Sequence, residues 1–195
     1  MYYRRERMKG KIIVVSAPSG TGKSTVIGHL MQRPELRLEF SISATSRKPR
    51  GAEQDGREYY FLTPEEFRRR VDTGEFVEWE EVYAGTCYGT LVSEVERVTG
   101  SGHNLIMDVD VKGAMNIKKH FGDQALTIFI LPPSMEELEN RLRSRNTDTE
   151  ESIAKRLEKA DFEMSFADRF DIRIINESLD DAVEASAKAI KDFAK

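Results

Sequence analysis

Short apolar runs separated by amphipathic stretches set the pattern of this chain. The runs Lys11–Ser16 (KIIVVS), Phe40–Ser43 (FSIS), Asn104–Val109 (NLIMDV), Leu126–Leu131 (LTIFIL) and Asp171–Ile175 (DIRII) are rich in β-branched or apolar residues. Three of them are nearly continuous, as expected of parallel strands covered on both faces. Helical patterns with readable ends lie between them. Thr63-Pro64-Glu65-Glu66 reads as a capping box with proline at the first helical position, and Gly74 closes that helix. Ser134 to Glu137 repeats the box ahead of Leu138 and Leu142, which fall on one face. Ser178 is expected to cap a last helix whose Ala182, Ala185, Ala189 and Phe193 recur at helical spacing. Strands alternating with helices predict a doubly wound α/β fold.

Two stretches interrupt the alternation. Residues 43–99 are polar, turn-rich and dotted with aromatics (Tyr59, Tyr60, Phe61, Trp79, Tyr83, Tyr88), and read as a small insertion. Residues 139–159 are almost all charged or polar on a helical pattern, which predicts a mobile flap with little apolar surface to bury. Residues 10–42, 100–138 and 160–195 are left as the core.

Composition narrows the picture. The 195 residues suit one domain, and 39% hydrophobic residues suffice for a core. Thirty Lys and Arg against 34 Asp and Glu give a net charge of −4, which disfavours coating nucleic acid by bulk electrostatics. Any anionic ligand must be met by local basic clusters. The single cysteine, Cys87, cannot form an intrachain disulfide and fits a reducing compartment. The apolar runs are far too short to span a bilayer. The basic start (Arg4, Arg5, Arg7, Lys9) is followed by too short an apolar run for a secretory signal, which needs about 7–15 such residues. The expectation is a cytoplasmic protein with no membrane partner. His29, His103 and His120 lack metal-ligand spacing and read as surface or capping residues.

Directly after the first apolar run comes Ala17-Pro18-Ser19-Gly20-Thr21-Gly22-Lys23-Ser24-Thr25, then a helix-compatible stretch. Strand, glycine-rich loop and helix in this order nearly match G-x-x-x-x-G-K-[ST], with Ala17 in place of the first glycine. Small residues let backbone N–H groups turn inward around a polyphosphate, and the helix N-terminus adds partial positive charge. Lys23 would reach the outer phosphates and the Ser24 hydroxyl would ligate magnesium accompanying ATP. Alanine at position 17 costs little where φ is negative.

A second cluster runs from Ser43 to Leu62. Arg47 and Arg50, three apart, with Tyr59 and several hydroxyls nearby, could clamp an anion through guanidinium forks. Composition alone leaves the same stretch equally readable as a solvated basic loop. The run T-S-R-x-x-R-x-x-E-x-x-G-x-x-Y-x-F-L from Thr45 to Leu62 resembles the signature of guanylate kinases, and SAPSGTGKST resembles the bacterial form of the family's phosphate cradle. The likeness continues through Gly74 to Trp79, Tyr88 to Thr90, Leu105 to Gly113 and Arg141 to Leu157, covering nearly all the chain beyond the first ten residues.

The resemblance implies a P-loop nucleoside monophosphate kinase fold, with a parallel five-stranded core sheet flanked by helices, a GMP-binding insertion and a helical lid. It implies transfer of the ATP γ-phosphoryl group to GMP, and to dGMP. Arg47, Arg50 and Tyr59 would hold the acceptor phosphate, with Glu53 orienting the clamp. Ser43, Glu78, Thr90 and Asp108 would contact guanine, and Tyr88 would help with the phosphate or the base. Glu78 would accept from the N1–H and N2–H₂ donors, while Ser43 and Thr90 would donate to O6. Adenine reverses that edge, and polar sites of this kind reject the wrong ligand by about 10⁴–10⁵. Arg141 and Arg145 share a helical face and Arg156 joins them over the transferred phosphoryl group, an effect worth about 10³–10⁵ in rate. Pairing of these arginines with Glu137, Asp148, Glu150, Glu151 and Glu158 is the structural alternative. Asp110 would hold magnesium through water, or simply form a turn, and Asn176 would contact adenine.

Two rival readings remain: a non-catalytic guanylate-kinase-like binding module, and a sugar-phosphate kinase on the same scaffold. The basic tail, Met1 to Lys9, falls outside the resemblance. A disordered extension is the first expectation for it and an oligomer contact the second.

Overall fold

The computed structural model describes residues 9–83, 85–144 and 149–195. The first apolar run forms β1 (Ile12–Ser16), and the glycine-rich loop leads into α1 (Lys23–Met31), followed by β2 (Leu38–Phe40). The insertion contributes β3 (Ala44–Thr45), β4 (Tyr60–Phe61), α2 (Pro64–Asp72), β5 (Phe76–Tyr83) and β6 (Thr86–Leu91); α3 (Val92–Gly100), which falls within the stretch 43–99, packs Val95 and Val98 into the core. The chain continues with β7 (Asn104–Asp108), α4 (Val111–Phe121), β8 (Ala125–Leu131), α5 (Met135–Ser144), α6 (Glu150–Met164), β9 (Ile172–Ile175) and α7 (Leu179–Phe193).

Five strands in the order β2-β7-β1-β8-β9 form an all-parallel sheet. Every residue of β1 is buried, and its alternating side chains feed two cores. Ile13 and Val15 pack with Val26 and Leu30 of α1 and Val183 and Ile190 of α7. Ile12 and Val14 pack with Val95 and Val98 of α3 and Val111, Ile117 and Phe121 of α4. Such two-sided burial is why the run is continuously apolar.

The capping signals form as read. The Thr63 and Ser134 hydroxyls accept from the N–H groups of Glu66 (3.1 Å) and Glu137 (3.0 Å), and Gly74 takes φ +70° just past α2. Two readings shift. The second strand lies two to three residues earlier than expected, at Leu38–Phe40. Beyond Ser41, the Ile42 N–H turns to the Glu94 carboxylate (2.9 Å) and the chain leaves for the second sheet. On α7 the buried face is Ala182, Val183, Ser186, Ala187 and Ile190, while Ala185 is exposed, so an alanine stripe alone misplaced the face by about one residue.

The insertion folds on a four-stranded sheet in the order β4-β3-β6-β5, with Phe67 of α2 packed against Ala44 and Leu91. Glu94 ties it to the core. Its carboxylate, 1% exposed, accepts from the Ile42 N–H, the Tyr60 hydroxyl (2.9 Å) and Arg97. Burial alone would raise its pKa, yet these donors, Arg97 foremost, hold it below the ordinary carboxylate value.

The helix pair α5 and α6 buries more than its charged sequence suggests. Leu138, Leu142, Ile153 and Ala160 form a small core of their own, lined further by Met135 and Leu157. Apolar residues four apart on two short helices suffice to zip them together although most other positions are charged. This core also backs the glycine-rich loop: a Cβ on Gly20 would lie 2.8 Å from Leu142 Cδ2. No helix among the described residues is long and apolar enough to cross a membrane.

Candidate active site

The first site forms where β1 ends. Ser16 donates to the Val109 carbonyl (2.7 Å), fixing the ends of β1 and β7 together. Residues 17–22 then arch over the N-terminus of α1. Gly20 and Gly22 adopt φ of +97° and +95°, which side chains rarely tolerate. Ala17 is buried and outside the positive-φ region, so its methyl group fits where the motif has glycine. The buried side-chain amide of Asn176 donates to the Thr21 carbonyl (2.6 Å), and the Asn176 main-chain carbonyl accepts from Arg141 (3.2 Å). In this structure Asn176 therefore braces the loop from behind.

A cavity of about 380 Å³ opens in front of the loop, bordered by Ser19, Lys23, Ser24, Thr25, Asp108, Asp110, Lys159 and Glu163. Lys23 forms an ion pair with Asp108. Asp108, expected at the guanine, stands at the end of β7 and faces the cradle lysine. Asp110 caps α4, accepting from the Gly113 N–H (2.7 Å), so the turn-forming role foreseen for it is real. From α6, Arg156 donates to the Ser19 hydroxyl (3.1 Å), which brings one of the three flap arginines onto the loop. Arg141 pairs with Glu137 (2.9 Å), one of the structural partners considered. Arg145 and Asp148 lie outside the described residues.

The second site is built from side chains of the insertion. The Arg47 fork donates to both oxygens of Glu53 (2.6 and 2.8 Å), its Nε donates to the Tyr88 hydroxyl (3.1 Å), and its plane lies over the Tyr59 ring (4.9 Å). Glu53 also accepts from the Arg50 N–H (2.7 Å). The hydrogen bonds from Arg47 and from the Arg50 backbone pull the Glu53 pKa down to about 2. The Arg50 side chain is exposed. Arg47, Arg50, Glu53, Tyr59 and Tyr88 thus share one corner of the insertion.

Glu78 and Thr90 face each other across β5 and β6, and the Thr90 hydroxyl donates to Glu78 Oε1 (2.8 Å). The threonine proton was expected on a ligand oxygen; here it orients the carboxylate. Burial raises the Glu78 pKa, against the hydrogen bond from Thr90. Glu78 Oε2 faces Gly113, where a Cβ would come within 3.1 Å, so α4 approaches the insertion closely because residue 113 is glycine. Ser43 is half-buried, its carbonyl accepting from the Tyr60 N–H (2.9 Å).

Several groups escaped the sequence reading. The Asp110 carboxyl beside Glu80, together with burial, pushes the Glu80 pKa up to about 7, while Asp110 is held below its ordinary value against its own burial. The spacing of Glu80, two from Glu78 on one strand, was the available signal, since such residues share a face. Lys159 and Glu163 border the cavity from α6; they follow Arg156 at near-helical spacing, which marks the same side of the helix. Cys87 is an unbonded, half-buried thiol whose pKa burial raises, so it is no activated nucleophile.

One anion-oriented cluster is thus built on the glycine-rich loop and another on the insertion, whose Glu78 reaches Gly113 at the start of α4. Comparison with known proteins gives that geometry a family. The family model for guanylate kinase matches residues 9–193. The guanylate kinase of Porphyromonas gingivalis is 60% identical over 183 residues, covering 94% of this chain and 97% of its own. That of Bacteroides thetaiotaomicron is 52% identical over 188 residues, covering 96% and 92%. Among solved structures, guanylate kinase from Anaplasma phagocytophilum superposes with a TM-score of 0.71 at 30% identity, covering 95% of this chain and 86% of the other. On the matched span and on these identities, this chain belongs to the guanylate kinase family.

Proposed function

We propose that this chain is an enzyme that transfers the γ-phosphoryl group of ATP to GMP, or dGMP, yielding ADP and GDP or dGDP in purine nucleotide metabolism. The observation that supports the reading is the half-buried Glu78 carboxylate held by buried Thr90, two residues along β6 from the Tyr88 that meets Arg47. A carboxylate held by Thr90 accepts two hydrogen bonds from the N1–H and N2–H₂ edge of guanine. Those donors also favour the ionised form that burial disfavours. Adenine presents no such pair of donors and would leave Glu78 unmatched.

The chemistry asks mainly for placement. The acceptor phosphate has a second pKa near ~6 and is already anionic at neutral pH, so no general base is needed. Arg50, Tyr59 and Arg47 hold that phosphate, with Glu53 keeping the Arg47 fork in plane. The loop N–H groups and Lys23 hold the triphosphate, Lys23 leaving Asp108 to do so. Arg156 and Arg141 reach the cradle from the helix pair and neutralise charge spreading over the transferred group. The helix pair and the insertion act as lid and acceptor domain, and their closure excludes water that would hydrolyse ATP.

Magnesium fits these residues as an ion delivered with the triphosphate. Among the described residues no group of three His, Cys, Asp or Glu side chains could hold a metal alone. Mg²⁺ suits that arrangement because it keeps several waters and binds through few protein groups plus substrate phosphates. Ser24 would ligate it and Asp110 would reach it through water. Held there by Ser24 and, through water, by Asp110, it would neutralise part of the phosphate charge. A half-buried lone thiol suits a reducing compartment, and we place the reaction in the cytoplasm.

A coupled assay of ADP release with GMP, dGMP, AMP, UMP and ribose phosphates as acceptors tests the reading. GMP and dGMP should exceed the others by orders of magnitude. Equal rates with AMP would overturn the guanine assignment, and GMP binding without ADP release would favour a non-catalytic module.

A further inference from the structure

Glu163 stands in the wall of the triphosphate cavity with nothing to do there. It is the penultimate residue of α6 and only 6% exposed. Its Oε1 lies 3.8 Å from the exposed Lys159 ammonium, while Oε2 is buried with no hydrogen-bond partner among the described residues. Burying a carboxylate oxygen unpaired costs free energy, and such a group in a native fold calls for an explanation. The neighbouring carboxylates differ from it in having partners before any ligand enters: Asp108 pairs with Lys23, and Asp110 accepts from the Gly113 N–H.

The ligand proposed for this cavity sharpens the problem. A polyphosphate is itself anionic, so a carboxylate beside it is repulsive unless positive charge or a strong donor comes between. A hydrated divalent ion supplies both. Mg²⁺ gives up its waters reluctantly, and those waters donate strongly because the ion polarises them. We propose that Glu163 is a positioning residue for the metal: Oε2 accepts hydrogen bonds from the water molecules of the magnesium ion that enters with ATP, without ligating the ion directly. The inference rests on the magnesium-dependent kinase reading and assigns a duty to a residue outside the glycine-rich loop. Ala160 and Glu163 follow Arg156 along one face of α6, so the helix that sends a cation to Ser19 would also seat the metal's hydration shell.

The test is calorimetric titration of the full chain with ATP, without GMP, in EDTA and in saturating Mg²⁺. By linkage, the gain in ATP affinity caused by Mg²⁺ equals the gain in Mg²⁺ affinity caused by the protein. Losing a group that orients a metal's shell typically costs 10–100-fold in metal affinity. Glu163→Gln should therefore cut the magnesium-induced gain by about 10-fold or more while leaving affinity in EDTA unchanged. Its metal-free melting temperature should equal or exceed that of the parent, because an unpaired buried carboxylate is removed. Glu163→Asp, which retracts the carboxylate by one methylene, should lose part of the gain and keeps the question answerable if the glutamine variant fails to fold. An undiminished magnesium gain in both variants, or an equal loss with and without Mg²⁺, would overturn the proposal. A parent protein whose ATP affinity ignored Mg²⁺ would overturn the magnesium reading itself, a result distinct from either.

Discussion

The two anion sites are made of different material. The triphosphate cradle is mostly main chain: a loop between β1 and α1 that bends at Gly20 and Gly22, braced by Asn176 behind and by Leu142 beneath. The monophosphate clamp is mostly side chain: Arg47, stretched between Glu53, Tyr88 and the Tyr59 ring on a short-stranded sheet. A main-chain site is set by backbone angles and has little freedom to reshape. A side-chain site is held by a network, each member of which can be removed singly. The first arrangement suits a ligand portion common to many nucleotides, the second a particular acceptor.

If that contrast is right, variants on the two sides should fail differently. Lys23→Ala should give the largest effect, lowering kcat by about 10²–10³-fold with the circular dichroism spectrum unchanged, because it removes charge stabilisation without touching the fold. Normal turnover would refute its role. Arg50→Ala should raise the KM for GMP by about 10–100-fold while the KM for ATP stays put, the size expected for losing one charge-assisted pair. A matching change in both KM values would erase the separation between the sites. Gly22→Ala should act on the fold first. Its new Cβ would sit 2.6 Å from Asn176 Nδ2 at a φ of +95°, and denaturant unfolding should report a loss of about 1–3 kcal/mol. The smallest effect is in acid. Because Arg47 depresses the Glu53 pKa, the pair's contribution is complete above the ordinary carboxylate range, fades progressively as pH falls below that range, and is gone once pH has passed through about 2. A carboxyl NMR titration of Glu53 with its midpoint in the ordinary carboxylate range would show the clamp to be unformed without substrate.

The same contrast governs what could be read from the amino-acid order. The cradle was legible because backbone geometry is written locally: glycines at positions 20 and 22, an apolar strand before and helix formers after. The core strands were legible for the same reason, each needing only its own run of apolar residues. The clamp was recognised through family likeness, since Arg47 meets Tyr88 across 41 positions and nothing near either residue encodes the meeting. Thr90 turning its proton toward Glu78, Asp108 pairing with Lys23, and Asp110 raising the pKa of Glu80 are likewise products of chain topology. The charged stretch after Leu138 misled in a different way. Its few apolar residues were outnumbered in composition, but helical phase gathers them on one side, where number matters less than alignment.

The pairing of Lys23 with Asp108 carries a consequence for selectivity among small anions. The lysine already has a counterion, so whatever enters must win an exchange rather than fill an empty positive spot. Inorganic phosphate or sulfate offers one charged cluster and gains little from the swap. A polyphosphate offers several at once and would meet the loop N–H groups as well as the lysine. If the loop holds a triphosphate as proposed, the Asp108 carboxylate is the rival that the ligand has to displace.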